Sequence, residues 1–169
     1  MPFFASHLLP FHAWVCYDNR QRWEKVGKYF GRYERNLDER NRLQIPSKLF
    51  SSLPDRFYAM RGFDGCLAIY EESAFLALQD DLAKLSYRNP ESRAFIRIAL
   101  ASVSELEVDA HGRITLGKEL CDHYSIGQKV VVLGIQDHFE VWDAVAYATY
   151  EANFAKEFDS LAAEAEVKA

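Results

Sequence analysis

Residues 38–46 read Asp-Glu-Arg-Asn-Arg-Leu-Gln-Ile-Pro, and residues 109–117, at an offset of 71, read Asp-Ala-His-Gly-Arg-Ile-Thr-Leu-Gly. After a slip of one position, residues 62–70 (Gly-Phe-Asp-Gly-Cys-Leu-Ala-Ile-Tyr) lie over residues 134–142 (Gly-Ile-Gln-Asp-His-Phe-Glu-Val-Trp). Both copies therefore contain Asp-x-x-(Asn/Gly)-Arg-apolar-x-apolar, followed by two strands that end on an aromatic residue. Self-similarity at a fixed offset predicts a chain built from two copies of one small module.

The first part of each copy has the chemistry of a tight turn. Aspartate is favoured at the first position of a type I turn, because its carboxylate can accept a backbone N–H further along the turn. A three-residue hairpin loop commonly continues with one residue in the left-handed region, and Asn and Gly tolerate positive φ best. The predicted turn-forming residues are Asp38, Asn41, Asp109 and Gly112.

The residues after each turn alternate between polar and apolar, as in a half-buried strand. Arg42 and Arg113 begin these return strands. Pro46 suits the first turn of a helix, and the apolar side of that helix would be formed by Leu49, Phe50 and Leu53. Each copy is thus predicted to be a β-hairpin, a short helix and a second β-hairpin.

One copy spans about 45 residues, which is too few to bury an adequate core alone. We therefore expect an α+β fold in which two tandem modules form an intrachain pseudo-dimer and their hairpins close a common barrel. The expected divisions are an N-terminal extension, module 1, a helical connector, module 2, and a C-terminal helix with an acidic tail, over residues 1–27, 32–74, 75–102, 103–146 and 147–169.

Three apolar stripes predict helices outside the modules. The first connector helix has Phe75, Leu78, Leu82 and Leu85 along one side. The second begins at Asn89 as cap and Pro90 as first residue, and its predicted apolar face is Phe95, Ile98 and Ala99. In the last helix we expect the stripe to be core, at Tyr147, Tyr150, Phe154 and Leu161.

The charge of the chain is unevenly distributed. The formal net charge of −5 argues against nucleic acid as a partner, because phosphate neutralisation dominates non-specific binding. However, residues 28–50 contain six basic residues and three acids, whereas residues 137–169 contain two lysines and eight acids. A basic first half of module 1 and an acidic tail leave a local nucleic-acid surface possible.

The sequence offers little support for an enzyme. No Ser, His, Asp or Cys lies in a nucleophile elbow, metal box or phosphate loop. The three cysteines and five histidines show neither metal-ligand spacing nor a disulfide framework, which suits a reducing compartment. We interpret Cys66 and Cys121 as small buried hydrophobes. We therefore expect no catalytic site, no cofactor and no metal. No apolar run in the sequence approaches the roughly 20 residues that a membrane helix needs.

Three motifs together resemble the MraZ family, whose fold is similar to that of the SpoVT/AbrB group. They are Leu37-Asp38-x-x-x-Arg42-Leu43-x-Ile45-Pro46, Asn89-Pro90-Glu91-x-Arg93 and Val108-Asp109-x-x-Gly112-Arg113-Ile114, and the resemblance covers roughly residues 28–160. It implies two AbrB-like modules in a cytoplasmic, nucleoid-associated regulator. It further implies control of a division and cell-wall gene cluster by binding direct repeats in promoter DNA, as a ring-shaped homo-oligomer. The first copy departs from the family in having Arg-Asn before Arg42, where Lys-Gly is usual.

The expected DNA-binding residues are Arg42, Arg40, Arg35, Lys48 and Arg113. For Arg42 and Arg113 the alternative is an internal ion pair with Asp38 or Asp109 that only pins the turn, and for Arg40 it is a solvated side chain. At the class level the alternative is a protein-interaction module of antitoxin type, which shares such hairpins.

The N-terminal extension lacks periodicity, caps and a packing stripe. It is expected either to be disordered or to be translated sequence upstream of a native start at position 26, where a GTG codon read internally gives valine. A native protein lighter by roughly 25 residues would favour the second alternative.

Overall fold

The computed structural model describes residues 29–50 and 52–165, so the predicted N-terminal extension lies outside the described residues. The strands are β1 (Tyr29–Asn36), β2 (Arg42–Gln44), β3 (Arg56–Arg61), β4 (Leu67–Tyr70), β5 (Ser104–Glu107), β6 (Arg113–Thr115), β7 (Lys129–Gln136) and β8 (His138–Asp143). The helices are α1 (Glu72–Ala83), α2 (Pro90–Ala101), α3 (Gly117–His123), α4 (Ala144–Phe154) and α5 (Phe158–Glu164). The chain is thus an α+β protein, as predicted.

The strands form a six-stranded antiparallel sheet in the order β1-β7-β8-β4-β3-β5 and a two-stranded ribbon, β2-β6. Two pairings join residues that are equivalent in the repeat: Leu43 lies opposite Ile114 in the ribbon, and Ala68 lies opposite Glu140 in the sheet. A pseudo-two-fold axis therefore passes through both pairs and relates the two copies.

The predicted first hairpin of each module is confirmed only next to its turn, where the N–H of Asp38 donates to the carbonyl of Arg42 and that of Asp109 to the carbonyl of Arg113, with one antiparallel bridge, Val108 to Ile114, in the second copy. The long pairings of these strands are made elsewhere. β1 pairs with β7 over its whole length, and β2 pairs with β6 of the other copy rather than with β1. This exchange buries Leu43 and Ile114 completely against each other, whereas pairing within one copy would not bring these two side chains together. The return strands thus connect the modules.

The main core lies between the β2-β6 ribbon and the inner face of the sheet. Leu43 and Ile114 enter it from the ribbon, and Phe57 and Phe139 enter it from the sheet with their rings 5.4 Å apart and nearly perpendicular. All four are fully buried, and each such side chain contributes about 1.5–3 kcal/mol relative to an exposed one. Because both copies supply this core, neither module is complete without the other.

Helices α1 and α2 cover the outer face of the sheet on one side. A second, smaller core of Met60, Ala68, Phe75 and Ala99 lies beneath them. Helix α2 starts as predicted, with the Asn89 side chain accepting hydrogen bonds from the backbone N–H groups of residues 91 and 92. The apolar face predicted for α2 is wrong, because Phe95 and Ile98 are 43% and 55% exposed and only Ala99 is buried.

The short helix predicted at Pro46 is absent from residues 46–50. They form a single turn in which the N–H of Leu49 donates to the carbonyl of Pro46 over 2.9 Å. Helix α3 of the second copy occupies the equivalent place.

The C-terminal helix begins earlier than predicted, at Ala144, and a 3₁₀ turn at Ala155–Glu157 separates it from α5. Its aromatic stripe is not core: no residue of α4 is buried. Tyr147 and Tyr150 are half-buried against the ring of Trp142, at 5.7 and 5.1 Å between ring centroids. α4 therefore shields the outer face of β8 as a partly exposed layer.

Candidate nucleic-acid interface

The loop between β1 and β2 is closed by one carboxylate. Oδ1 of Asp38 accepts hydrogen bonds from the backbone N–H groups of Arg40 and Arg42 at 2.9 and 3.0 Å, and Oδ2 accepts one from Nε of Arg42 at 2.6 Å. The N–H of Asn41 donates to the carbonyl of Asp38, and Asn41 itself has a φ of +55°. Aspartate at the first position thus organises both the backbone of the loop and the arginine that leaves it.

The loop between β5 and β6 repeats this arrangement. Oδ1 of Asp109 accepts from the backbone of His111 and Arg113 at 2.8 and 3.0 Å, and Oδ2 accepts from Nε of Arg113 at 2.8 Å. Gly112 has a φ of +73°. The two loops are therefore nearly identical in their hydrogen bonding, although they share few residues.

The loop carboxylates remain ionised well below neutral pH. The side-chain hydrogen bond from Arg113 lowers the pKa of Asp109 to about 2. The pKa of Asp38 is also lowered, chiefly by the backbone hydrogen bond from Arg42. Each loop therefore contains a fixed Asp⁻–Arg⁺ pair whose charges largely cancel.

The β2-β6 ribbon joins the two loops into one surface. The N–H of Leu116 donates to the carbonyl of Asn41, and that of Ile45 donates to the carbonyl of Gly112. The amide of Gln44 also donates to the carbonyls of His111 and Gly112, both at 3.1 Å. Each loop is thus held by the return strand of the other copy, which makes the pair a single rigid unit.

The outer face of this unit carries the side chains that alternate with the buried Leu43 and Ile114. Gln44 and Thr115 are exposed, and the side chains of Arg42 and Arg113 are 27% and 26% exposed. Arg42 lies opposite Thr115 in the register, and Gln44 lies opposite Arg113. We call this face, together with the tips of the loops at residues 38–42 and 109–113, the ribbon surface.

The five arginines and lysines expected to bind DNA fall into three groups. Arg42 and Arg113 are paired with their loop aspartates, which is the internal ion pair considered as the alternative. Arg40 at the first tip and Lys48 are exposed and form no ion pair with any described residue. Arg35 lies on the edge strand β1 and donates from its guanidinium to the carbonyl of Glu34 at 2.8 Å.

The two ends of the ribbon surface differ in charge. The first tip carries Arg40 where the second carries His111, and the strand leading to the second tip contains Glu105 and Glu107. Residues 38–42 contain two arginines and two acids, Asp38 and Glu39, so the first loop is itself neutral, and the greater positive charge on its side comes from the neighbouring Arg35 and Lys48.

Sequence reasoning missed Gln44. It could have been found, because the alternation that buries Leu43 and Ile45 places it on the outer face with Arg42.

Other classes of site find no support in the described part of the chain. Residues 29–50 and 52–165 contain no group of His, Cys, Asp and Glu arranged to hold a metal ion, and none of their helices is long and apolar enough to cross a membrane. Cys66 and Cys121 are buried free thiols, as predicted, and burial raises the pKa of both.

Comparison with known proteins identifies the family. A family model described as "MraZ protein, putative antitoxin-like" matches the chain twice, over residues 29–98 and 99–168. The chain is 37% identical to "Transcriptional regulator MraZ" of Limosilactobacillus fermentum over 135 residues, covering 80% of this chain and 94% of that protein. It is 34% identical to the protein of the same name from Lactiplantibacillus plantarum, covering 79% and 95% respectively. With two matches to the family model and relatives aligned over nearly their whole length, the chain belongs to the MraZ family.

Proposed function

We propose that this protein is a transcriptional regulator that binds promoter DNA through the ribbon surface. The observation that carries the proposal is the pair of rigid, hydrogen-bonded loops that present Arg40, Arg42 and Arg113 on one face of a fold shared with proteins named transcriptional regulators. Phosphate contacts position a protein on DNA, base contacts read the sequence, and side chains held in position before contact lose less freedom on binding. The two loops, fixed by each other's return strands, hold their arginines in this way.

Arg42 and Arg113 have different capacities to contact DNA. A guanidinium offers five N–H donors. Both arginines donate Nε to their loop aspartate, at 2.6 Å for Arg42 and 2.8 Å for Arg113. The two sides differ in their neighbours, because the unpaired Arg40 and Lys48 lie on the side of Arg42. We infer that the first loop supplies most of the affinity.

The aspartate in each loop has a positioning role in this proposal. The Asp38 carboxylate accepts a hydrogen bond from Nε of Arg42 and so fixes the orientation of the guanidinium. The remaining N–H donors of Arg42 are then available to DNA. An ion pair of this kind reduces the net charge of the surface, and binding then depends on geometry more than on bulk positive charge.

We also infer that several copies of the chain act together as a homo-oligomer on DNA direct repeats, forming the ring that the family resemblance implies. A monomer with a net charge of −5 and one modest basic patch binds weakly, but linked sites raise the effective concentration without new contacts. Support for assembly comes from exposed apolar side chains on α2 (Phe95 and Ile98) and on α5 (Phe158 and Leu161). The regulated genes in this proposal are a division and cell-wall cluster, with the protein acting at the nucleoid.

Fluorescence anisotropy with the DNA upstream of the protein's own gene, at one fixed salt concentration, tests the proposal. Arg42→Ala should abolish specific binding while far-ultraviolet circular dichroism stays unchanged, and Arg113→Ala should reduce binding less. Equal affinity of the wild type and Arg42→Ala would refute the assignment.

Light scattering at micromolar concentration should show that the protein is an oligomer. In the anisotropy assay this oligomer should fail to bind DNA that carries a single repeat. A monomer that binds one repeat tightly would refute the assembly. Capture of a toxin with no DNA binding would favour the antitoxin alternative.

A further inference from the structure

The side-chain amide of Gln44 is fixed in orientation on the ribbon surface. Its Nε2 donates to two successive carbonyls of the second loop, those of His111 and Gly112, at 3.1 Å each. An amide nitrogen has two N–H donors, and the amide oxygen has none. Both donors of Gln44 are therefore committed to the loop, and the contacts determine which end of the amide is the oxygen.

Gly112 provides the space in which this amide lies. A Cβ at Gly112 would be 2.9 Å from Cδ1 of Leu53 and 3.4 Å from Nε2 of Gln44, so these two side chains cover the buried glycine. Gln44 is itself exposed, and no described residue donates to its Oε1. Because the oxygen and the nitrogen diverge from one carbon, Oε1 faces away from the loop carbonyls as a free acceptor.

The equivalent position in the second copy has a different group. At the offset of 71 the counterpart of Gln44 is Thr115, which is also exposed and forms no side-chain hydrogen bond with any described residue. Its hydroxyl rotates and can either donate or accept. The ribbon surface therefore has a fixed acceptor on one side of the pseudo-two-fold axis and a freely rotating hydroxyl on the other.

A fixed acceptor distinguishes the bases of DNA in a particular way. The major groove of B-DNA admits a two-stranded β-ribbon, and there adenine and cytosine present an exocyclic amine, N6 or N4, whereas guanine and thymine present a keto oxygen. An amine donates to a side-chain carbonyl, and a keto oxygen does not. Glutamine commonly reads adenine through a bidentate pair that also uses an amide N–H. The N–H groups of Gln44 are already used, so only the contact with the amine is left.

We propose that Gln44 is a specificity-determining residue whose Oε1 accepts a hydrogen bond from the exocyclic amine of a base in the major groove. At one position of the strand that it faces, it selects adenine or cytosine over guanine or thymine and does not distinguish adenine from cytosine. This inference rests on the proposed function, which it deepens by naming what one side chain of the ribbon surface reads.

A complete set of single base-pair substitutions in the duplex upstream of the protein's own gene tests this preference by fluorescence anisotropy. With the wild type, one position should accept adenine and cytosine alike, and guanine or thymine there should lower the affinity about fivefold or more, the usual effect of one mismatched base pair. Gln44→Leu should bind the four duplexes that differ at this position equally.

Two further variants separate base reading from support of the second loop. Gln44→Lys keeps N–H donors for the loop carbonyls and has a third for a keto oxygen, so it should reverse the preference to guanine or thymine. Thr115→Val is the matched control at the equivalent position, and it should leave the preference at the Gln44 position unchanged. Both Gln44 and Thr115 are exposed, so circular dichroism should show all three variants folded.

Three results would overturn the inference while leaving the proposed function intact. In the first, Gln44→Leu lowers the affinity for every duplex by the same factor, which would make Gln44 only a support of the loop. In the second, the lost preference is for adenine alone, which would mean that the amide leaves the loop and pairs bidentately. In the third it is for guanine alone, whose N2 is the donor of the minor groove. A wild type that binds no duplex specifically overturns the proposed function itself.

Discussion

Truncation of Leu43 and Ile114 tests whether the return strands join the two modules. Both side chains are fully buried and lie directly opposite each other in the β2-β6 ribbon. Leu43→Ala and Ile114→Ala should each lower the free energy of unfolding by about 2–5 kcal/mol, the range for large-to-small changes in a packed core. Leu53→Ala is the matched control, since Leu53 is 37% exposed and the loss of a partly exposed side chain should lower the free energy of unfolding less than the loss of a fully buried one.

The double variant distinguishes this exchange from pairing within each copy. Directly opposed side chains share one packing site, so Leu43→Ala/Ile114→Ala should lose less stability than the sum of the single variants. The expected interaction free energy is about 0.5–3 kcal/mol. The assay is urea unfolding followed by circular dichroism, at one protein concentration because oligomerisation shifts apparent stability. The variants can be compared only if the unfolding free energy falls with urea concentration at a similar slope in each of them.

Additive losses, within about 0.3–0.5 kcal/mol, would refute the ribbon pairing. So would a Leu43→Ala variant as stable as Leu53→Ala, because Leu43 would then lie outside the core.

Two further predictions concern the loops. Because the pKa of Asp109 is lowered from 3.8 to about 2, its ionised form stabilises the fold above the unfolded pKa, and this contribution is lost as the pH falls through about 2. Asp109→Asn should therefore flatten the dependence of the melting temperature on pH between about 4 and 2; an unaltered pH profile would contradict this. Asn41 has a φ of +55°, which costs a residue with a Cβ about 1–2 kcal/mol in the left-handed region. Asn41→Val should therefore be destabilised and Asn41→Gly should not, and equal unfolding midpoints for the two variants would show that the loop conformation is unimportant.

The local features of the fold could be predicted from the sequence because they depend on a few neighbouring residues. The start of α2 follows from Asn89 and Pro90 alone, and the positive φ of Asn41 and Gly112 follows from their residue types. The repeat at offset 71 also revealed which residues are equivalent, and the structure then pairs Leu43 with Ile114.

The pairing of distant strands could not be predicted in the same way. Alternation of apolar residues after Arg42 indicates a strand, but it does not say which edge that strand joins, so a local hairpin was expected where the copies exchange strands. The same limit explains α2. Its stripe at Phe95 and Ile98 has helical spacing, yet the sheet beneath accommodates only the small Ala99 and leaves the larger side chains exposed.

In the candidate site, too, the residue types could be predicted from the sequence, but their contacts could not. The basic residues of the first copy were visible as a cluster in sequence, and Arg40, Arg42 and Lys48 are near one another in the chain. Their electrostatic states depend on contacts: Arg42 is held by Asp38, whereas Arg40 has no acidic partner among the described residues.

Whether this protein reads DNA sequence is measured most directly by a specificity ratio. The affinity of the wild type for the duplex upstream of its own gene is compared, at physiological salt, with its affinity for a scrambled duplex of the same length and composition. A sequence-specific regulator should prefer its own site by about a thousandfold or more. Equal affinity for the two duplexes, or no binding to either, would contradict the claim.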